Sequence, residues 1–213
     1  LKTPLTSIIG YADMLNTVDM TEEERSEAYY YIYSQGKRLE SLSHKLLELA
    51  EVDQNPIKTK AISTKELEEN IKTTMRPVFE KKKIKYKITM EKGWLHADKD
   101  LILSVFYNLL DNAVKAVEEG GTVKLSGVRL ANDSYEIKVS DNGRGIPEEE
   151  ISRITEAFYM VDKSRSRKEG GAGIGMALCQ KIISLHNAEM HIHSKIGEGC
   201  VVQLLFPKPQ EEV

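Results

Sequence analysis

No stretch of this 213-residue chain stays apolar for the ~20 residues that a membrane-spanning helix needs. Val201 to Phe206, interrupted by Gln203, is typical of its apolar runs. Cysteine is scarce. Cys179 and Cys200 are the only two and lie far apart, which points to buried thiols in a reducing compartment. Neither sign of charge prevails: 30 Lys+Arg against 33 Asp+Glu give a formal charge of −3. The basic excess of a nucleic-acid-binding protein is missing, so no nucleic-acid partner is expected. No signal peptide opens the chain, no repeat recurs in it and no low-complexity tract interrupts it. These absences read as a cytoplasmic domain, with any membrane anchor lying upstream of Leu1. A hydrophobic fraction of 40% with 14 glycines excludes a disordered tail and a collagen-like fibre. The length allows one large domain or two small ones.

The first stretch is helical. Leu1, Leu5, Ile8, Ala12 and Leu15 recur in steps of four and three, which lines one face of a helix. Pro4 is tolerable there only in a first turn or at a kink. Asn16 to Met20 breaks the pattern, and Thr21 with Glu24 forms a capping box for a second helix. That helix is predicted from about Thr21 to about Asp53, or about 50 Å. Its heptad seam is Ile32, Leu39 and Leu46 at one position and Ala28, Gln35, Leu42 and Leu49 at the other. Two antiparallel helices cannot dry all this apolar surface. Ile9, Leu47 and Tyr29, Tyr30, Tyr31 and Tyr33 lie off the seams. Pairing of two chains into a four-helix bundle resolves this; the alternative is that the hairpin packs on the second half of its own chain.

Gln54 to Lys60 contains Asn-Pro without periodicity and reads as a linker. This divides the chain into a dimerisation hairpin, 1–55, and a second domain, 56–213. Ser63 and Glu66 are predicted to cap a helix to about Glu80. Ile84 to Met90 alternates as a strand. Asp98 starts an apolar-periodic helix to about Glu118. Thr122 to Leu130 and Tyr135 to Ser140 form a strand pair, Gly173 to His186 a helix, and Ala188 to His193 with Cys200 to Phe206 a closing hairpin. The fold class is α+β: a helical hairpin followed by a two-layer sandwich.

Three segments of the second domain carry chemistry. Asp141-Asn142-Gly143-Arg144-Gly145-Ile146-Pro147 follows a strand, and its alternate glycines let backbone approach a flat ligand. An Asp at the strand end can accept from an amino group such as that of adenine; a plain Asp-Asn-Gly turn is the alternative. Gly170-Gly171-Ala172-Gly173-Ile174-Gly175 opens a helix, where free N–H groups suit phosphate. Before it, Met160 to Glu169 is polar and basic, with Lys163, Arg165, Arg167 and Lys168, and reads as a lid or as a solvated loop. No Gly-Lys-Ser/Thr follows the glycines, which excludes a P-loop. The third segment is Asn108-Leu109-Leu110-Asp111-Asn112-Ala113-Val114-Lys115. Its Asn108, Asn112 and Lys115 share one helix face. Two amide oxygens suit Mg²⁺, and a lysine one turn on suits phosphate; two exposed Asn and a surface Lys are the alternative for this segment alone.

The set, in this order, resembles the ATP-binding domain of sensor histidine kinases, of the wider superfamily that includes gyrase, Hsp90 and MutL. Asn108 to Lys115 resembles the N box, Asp141 to Pro147 the G1 box, Glu156-Ala157-Phe158-Tyr159 the F box and Gly171 to Gly175 the G2 box. Leu1-Lys2-Thr3-Pro4-Leu5-Thr6 is similar to the tail of the H box on the first dimerisation helix. The resemblance covers essentially the whole chain and implies a Bergerat-type ATP-binding fold. It also implies a homodimer through the hairpin, a response-regulator receiver domain as partner, and ATP with Mg²⁺ as cofactors. Asp141 would bind the adenine amine, Asn112 would coordinate Mg²⁺ with Asn108 beside it, and Lys115 and a basic lid residue (Lys163, Arg165 or Arg167) would touch phosphates. Gly143, Gly145, Gly171, Gly173 and Gly175, with Ile146, Ile174 and Met176, would border the nucleotide. Phe158 would anchor the lid, and Thr3 would orient water when the kinase instead dephosphorylates its partner.

Three departures stand out. Ala116 occupies a position where many members carry an aromatic beside the adenine. Met176 replaces a leucine, a volume-conserving change. The motif normally reads His-acid-Leu-Lys-Thr-Pro, and this sequence begins at the Leu, so the acceptor histidine is expected upstream of Leu1. His44, His96, His186, His191 and His193 sit in ordinary structural settings. An ATP-hydrolysing switch of the gyrase kind would need a Glu as general base one turn before the N-box Asn; Asn108 stands there, and an amide cannot take the proton. A nucleotide-binding scaffold without transfer remains the third reading.

Overall fold

The computed structural model describes residues 2–54, 56–162 and 173–208. It divides into two compact units, Leu1–Glu51 and Val52–Val213.

The first unit is a helical hairpin of α1 (Lys2–Thr17) and α2 (Glu22–Gln54). The capping box forms as the sequence predicts: Thr21 N–H donates to Glu24 Oε2 at 2.9 Å, and Glu24 N–H donates to Thr21 Oγ1 at 3.3 Å. Each satisfies a donor that the first turn would otherwise leave unpaired. Along the α2 seam Ala28 and Leu42 are buried, and Ile32, Gln35, Leu39, Leu46 and Leu49 are half-buried. The rings of Tyr11 and Tyr31 stack at 4.8 Å and tie the two helices near their turn. Leu5, Ile9, Tyr29, Tyr30, Tyr33 and Leu47 stay more than half exposed in the single chain.

The second unit holds a five-stranded sheet in the order β2-β4-β5-β7-β6. Its strands are β2 (Lys85–Met90), β4 (Thr122–Arg129), β5 (Tyr135–Asp141), β6 (Glu189–Lys195) and β7 (Gly199–Phe206). β2 and β4 run parallel and every other pair antiparallel. Alternate residues face one side: Val123 and Leu125, then Tyr135, Ile137 and Val139, then Val202, Leu204 and Phe206 are buried. Three helices supply the rest of the core: α3 (Thr64–Lys81), α4 (Lys99–Ala116) and, after the short α5 (Glu148–Ile151), α6 (Gly175–Leu185). From α3 come Leu67, Ile71 and Phe79, from α4 Ile102, Val105, Phe106 and Leu110, and from α6 Leu178, Cys179 and Ile182. Burying each large side chain contributes about 1.5–3 kcal/mol.

Two strands escape the sequence pattern. β1 (Lys60–Ser63) and β3 (Trp94–Ala97) pair antiparallel as a separate two-stranded sheet. Four residues are too few for alternation to register, and β1 begins inside the expected linker. Ser63 does stand at the α3 N-cap, yet its side chain makes no capping bond. Glu66 pairs instead with Lys99 Nζ at 2.6 Å, so the predicted capping box there does not form. Thr64 holds this end, donating from Oγ1 to Glu91 O at 2.6 Å. Among the described residues no helix is long and apolar enough to cross a membrane.

Candidate functional site

Helix α4 is fixed at both ends before it presents anything. At its start Asp98 Oδ1 accepts Leu101 N–H at 3.3 Å. At its end Lys82 Nζ donates to the carbonyls of Val114 and of Val117, the latter at 2.8 Å, a cation on the negative end of the dipole. Between them, half-buried Asn108 donates from Nδ2 to Ser104 O at 2.9 Å, which orients its amide. Asn112, one turn on, is exposed. Lys115 Nζ lies 2.6 Å from Asp111 Oδ2, so the lysine expected on phosphate rests on its own helix.

The loop after β5 lies across the end of this helix. A methyl on Gly143 would sit 2.6 Å from the carbonyl carbon and oxygen of Ala116, so only glycine fits. Arg144 N–H donates to that same carbonyl at 3.2 Å. Asp141 closes β5, half-buried, and its Oδ1 accepts Gly143 N–H at 2.8 Å. Burial pushes the Asp141 carboxyl above the usual aspartate range, while the backbone N–H groups of Gly143 and Cys200 and the charge of Arg144 pull the other way. The result is a partly desolvated carboxylate at a turn, suited to an N–H donor from a ligand. Cys200, Asp141's cross-strand partner, has its thiol pushed up to about 11 by burial and by that carboxylate.

Phe158 N–H donates to Gly173 O at 2.7 Å. Both residues have positive φ, 68° and 71°, and a methyl on Gly173 would meet Tyr159 O at 2.6 Å. Phe158 is 56% exposed, and its bond to Gly173 is made by the main chain. Next to it Tyr159 donates to Glu150, and the Arg153 guanidinium lies 4.1 Å from the Tyr159 ring centroid. Ile174 is fully buried, Gly175 opens α6, and Met176 is half-buried. Lys163, Arg165, Arg167 and Gly171 lie outside the described residues, as does the side chain of Thr3.

Sequence reasoning missed three groups that support these loops. Asn142 Oδ1 accepts Thr122 N–H at 2.7 Å. Ser194 Oγ accepts Ile146 N–H at 2.8 Å. His186 joins the end of α6 to the start of α4, its Nε2 accepting Asp98 N–H at 2.9 Å. Each contact links residues far apart in the chain, and no local pattern announces such a link. Among the described residues no three His, Cys, Asp or Glu side chains cluster as a metal cage.

The family described as histidine kinase-, DNA gyrase B- and HSP90-like ATPase matches residues 97–210, and the His kinase A (phospho-acceptor) domain matches residues 1–55. The chain belongs to the sensor histidine kinases. Sporulation kinase C of Bacillus subtilis is 28% identical to it over 214 residues, covering 97% of the chain and 46% of that kinase. Sensor histidine kinase YkoH, also of Bacillus subtilis, is 32% identical over 209 residues, covering 97% of the chain and 45% of that kinase. The chain thus spans about half the length of the curated relatives it matches. Solved histidine kinases share its fold. ThkA, in complex with the response regulator protein TrrA, has a TM-score of 0.80 at 21% identity, covering 100% of this chain and 60% of that one. AdeS of Acinetobacter baumannii has a TM-score of 0.77 at 18% identity, covering 98% of this chain and 97% of that one. ShkA, solved with AMPPNP, has a TM-score of 0.72 at 24% identity, covering 99% and 44%. The α+β fold expected of this sensor kinase, hairpin then sandwich, is the one observed.

Proposed function

We propose that this chain is the kinase core of a two-component sensor. Residues 1–55 dimerise through the hairpin and 56–213 bind ATP, whose γ-phosphoryl passes to a hairpin histidine upstream of Leu1 and onward to an Asp of a response regulator. The observation that carries the reading is the desolvated Asp141 carboxylate. It stands at a glycine turn packed on the end of the helix that bears Asn108, Asn112 and Lys115.

Asp141 accepts the adenine amine, while Gly143 and Gly145 let the loop backbone lie flat against the base. Asn112 and Asn108 hold Mg²⁺ through their amide oxygens. Bound there, Mg²⁺ would neutralise phosphate charge. Lys115 exchanges Asp111 for phosphate, a modest cost for a half-exposed pair. A basic side chain among Lys163, Arg165 and Arg167 touches the phosphates, the backbone at Gly171, Gly173 and Gly175 approaches the nucleotide, and Thr3 orients water in the reverse, dephosphorylating reaction. Asn108 offers no general base, so hydrolysis to water is slow and the phosphoryl group is kept for the histidine. Transfer of this kind is governed by positioning and charge neutralisation. ThkA was solved with a response regulator and ShkA with an ATP analogue, and both share this fold, which supports the same partner and nucleotide here.

The test is labelling from γ-labelled ATP. Extended upstream with a histidine and an acid two and one residues before Leu1, the chain should acquire acid-labile, base-stable phosphate on that histidine; residues 1–213 alone should bind ATP without labelling. Label on His44 or another internal histidine would overturn the assignment.

A further inference from the structure

The turn between β6 and β7 grips the Asp141 loop at both ends. At the far end of the loop, Ile146 N–H donates to Ser194 Oγ at 2.8 Å. The same hydroxyl donates to Gly199 O at 2.7 Å, so its one proton is committed across the turn and a lone pair is left aimed at Ile146. In the middle, Gly197 N–H donates to Arg144 O at 2.8 Å. A methyl on Gly145, whose φ is +71°, would lie 2.0 Å from Lys195 O; one on Gly199, whose φ is +96°, would lie 2.0 Å from Asp141 O. Backbone is therefore in direct contact with backbone from Asp141 to Ile146.

We propose that Ser194 is a positioning residue for the nucleotide site: its hydroxyl, relayed to Gly199, locks the 141–146 loop in the shape that presents Asp141 and the Gly143–Gly145 backbone to the purine. This rests on the reading of that loop as the adenine site and adds to it the group that sets its conformation. Ser194 touches no ligand itself. Without its hydroxyl, Ile146 N–H loses its partner, and the far end of the loop loses its hydrogen bond to the end of β6.

Calorimetry with ADP on the full chain tests this. Ser194→Ala should weaken binding about two- to tenfold, the range for loss of one neutral hydrogen bond. Ser194→Thr keeps the hydroxyl and should restore affinity to within about twofold. In an Asp141→Asn background, Ser194→Ala should cost less than in the wild type, because the contact it positions is already gone. A residue that only supports the fold would lower affinity by the same factor in both backgrounds, and that result would overturn the proposal. Should Ser194→Ala not fold, Gly197→Ala carries the test: its methyl meets open space but must hold φ +78°, so it loosens the turn without a clash and should weaken ADP in the same direction. A wild type that fails to bind ADP would remove the adenine site itself. A wild type that binds, an Asp141→Asn that binds measurably more weakly, and unchanged affinity in Ser194→Ala or Gly197→Ala would remove the role of Ser194 alone.

Discussion

The imidazole of His186 accepts Asp98 N–H through Nε2 at 2.9 Å and donates from Nδ1 to Ile182 O at 2.7 Å. With one ring nitrogen accepting and the other donating, the ring is neutral and its tautomer is fixed. The bond links the end of α6 to the start of α4, the helix that carries Asn108 and Asn112. Burial lowers the His186 pKa, aided by nearby His96 and opposed by the Ile182 carbonyl and the charge of Asp98. A lowered folded pKa means that the unfolded chain binds the proton more readily. The contribution is complete above the unfolded value of about 6.5 and is lost as pH falls below it. Urea unfolding between about pH 7.5 and 5.5 should show a falling midpoint in the wild type and a flatter profile in His186→Gln. Equal pH slopes would refute it.

Asp141→Asn should weaken ATP by about tenfold or more, the loss of a charged hydrogen bond at about 1.5–3 kcal/mol. The same variant should be no less stable than the wild type without nucleotide. Burial raises the folded pKa of Asp141, so the folded state holds its proton more tightly, and the carboxylate costs stability as pH rises through its titration. Asparagine removes that cost. Calorimetry and thermal melts at neutral pH read both effects. In the wild type, acidification should weaken nucleotide before an ordinary aspartate would titrate.

Asn112→Ala should lower Mg²⁺-dependent transfer in the histidine-bearing chain by a factor of ten or more while leaving adenosine affinity near wild type. Its side chain is exposed, so little stability is at stake. Titrating Mg²⁺ at fixed ATP separates the two effects; wild-type rates at saturating Mg·ATP would remove Asn112 as a ligand.

Leu46→Asp should abolish the dimer. Leu46 is only half-buried in the single chain, and Tyr29, Tyr30, Tyr33 and Leu47 are open to solvent. A charge on a bundle seam costs several kcal/mol unless it is paired. Light scattering should find the wild type dimeric and the variant monomeric, with helicity by circular dichroism held or reduced. A wild type monomeric at high concentration would contradict the bundle.

Local physics made much of this protein legible. Thr21 and Glu24 cap α2 reciprocally, and Asp98 caps α4 through its side-chain oxygen on Leu101 N–H. The period of Leu101, Val105, Leu109, Ala113 and Val117 announced a core-facing helix, with Leu101 only half-buried at its start, and the alternation of β4 and β5 a half-buried sheet. Asp141, Gly143 and Gly145 were legible as a turn at a strand end; the adenine reading of that turn came only from its order with the Asn108–Lys115 and Gly170–Gly175 segments.

Where chemistry depends on partners distant in sequence, only the tertiary structure could decide. β1 and β3 exist because they pair with each other; neither four-residue run signals a strand alone. Glu66 turned from the predicted cap to Lys99, and Lys115 to Asp111, since an ion pair within reach competes with an isolated role. Phe158 takes a left-handed φ and bonds through its main chain to Gly173, which residue type alone does not announce. Ser194 and His186 look like ordinary polar residues of a strand and a helix end. They acquire their roles because sheet order β2-β4-β5-β7-β6 and the packing of α4 on α6 bring them to Ile146 and Asp98. The sequence alone determined which residues could do the chemistry, through residue type and local period; the long-range pairing of strands and helices determined which groups hold them in place.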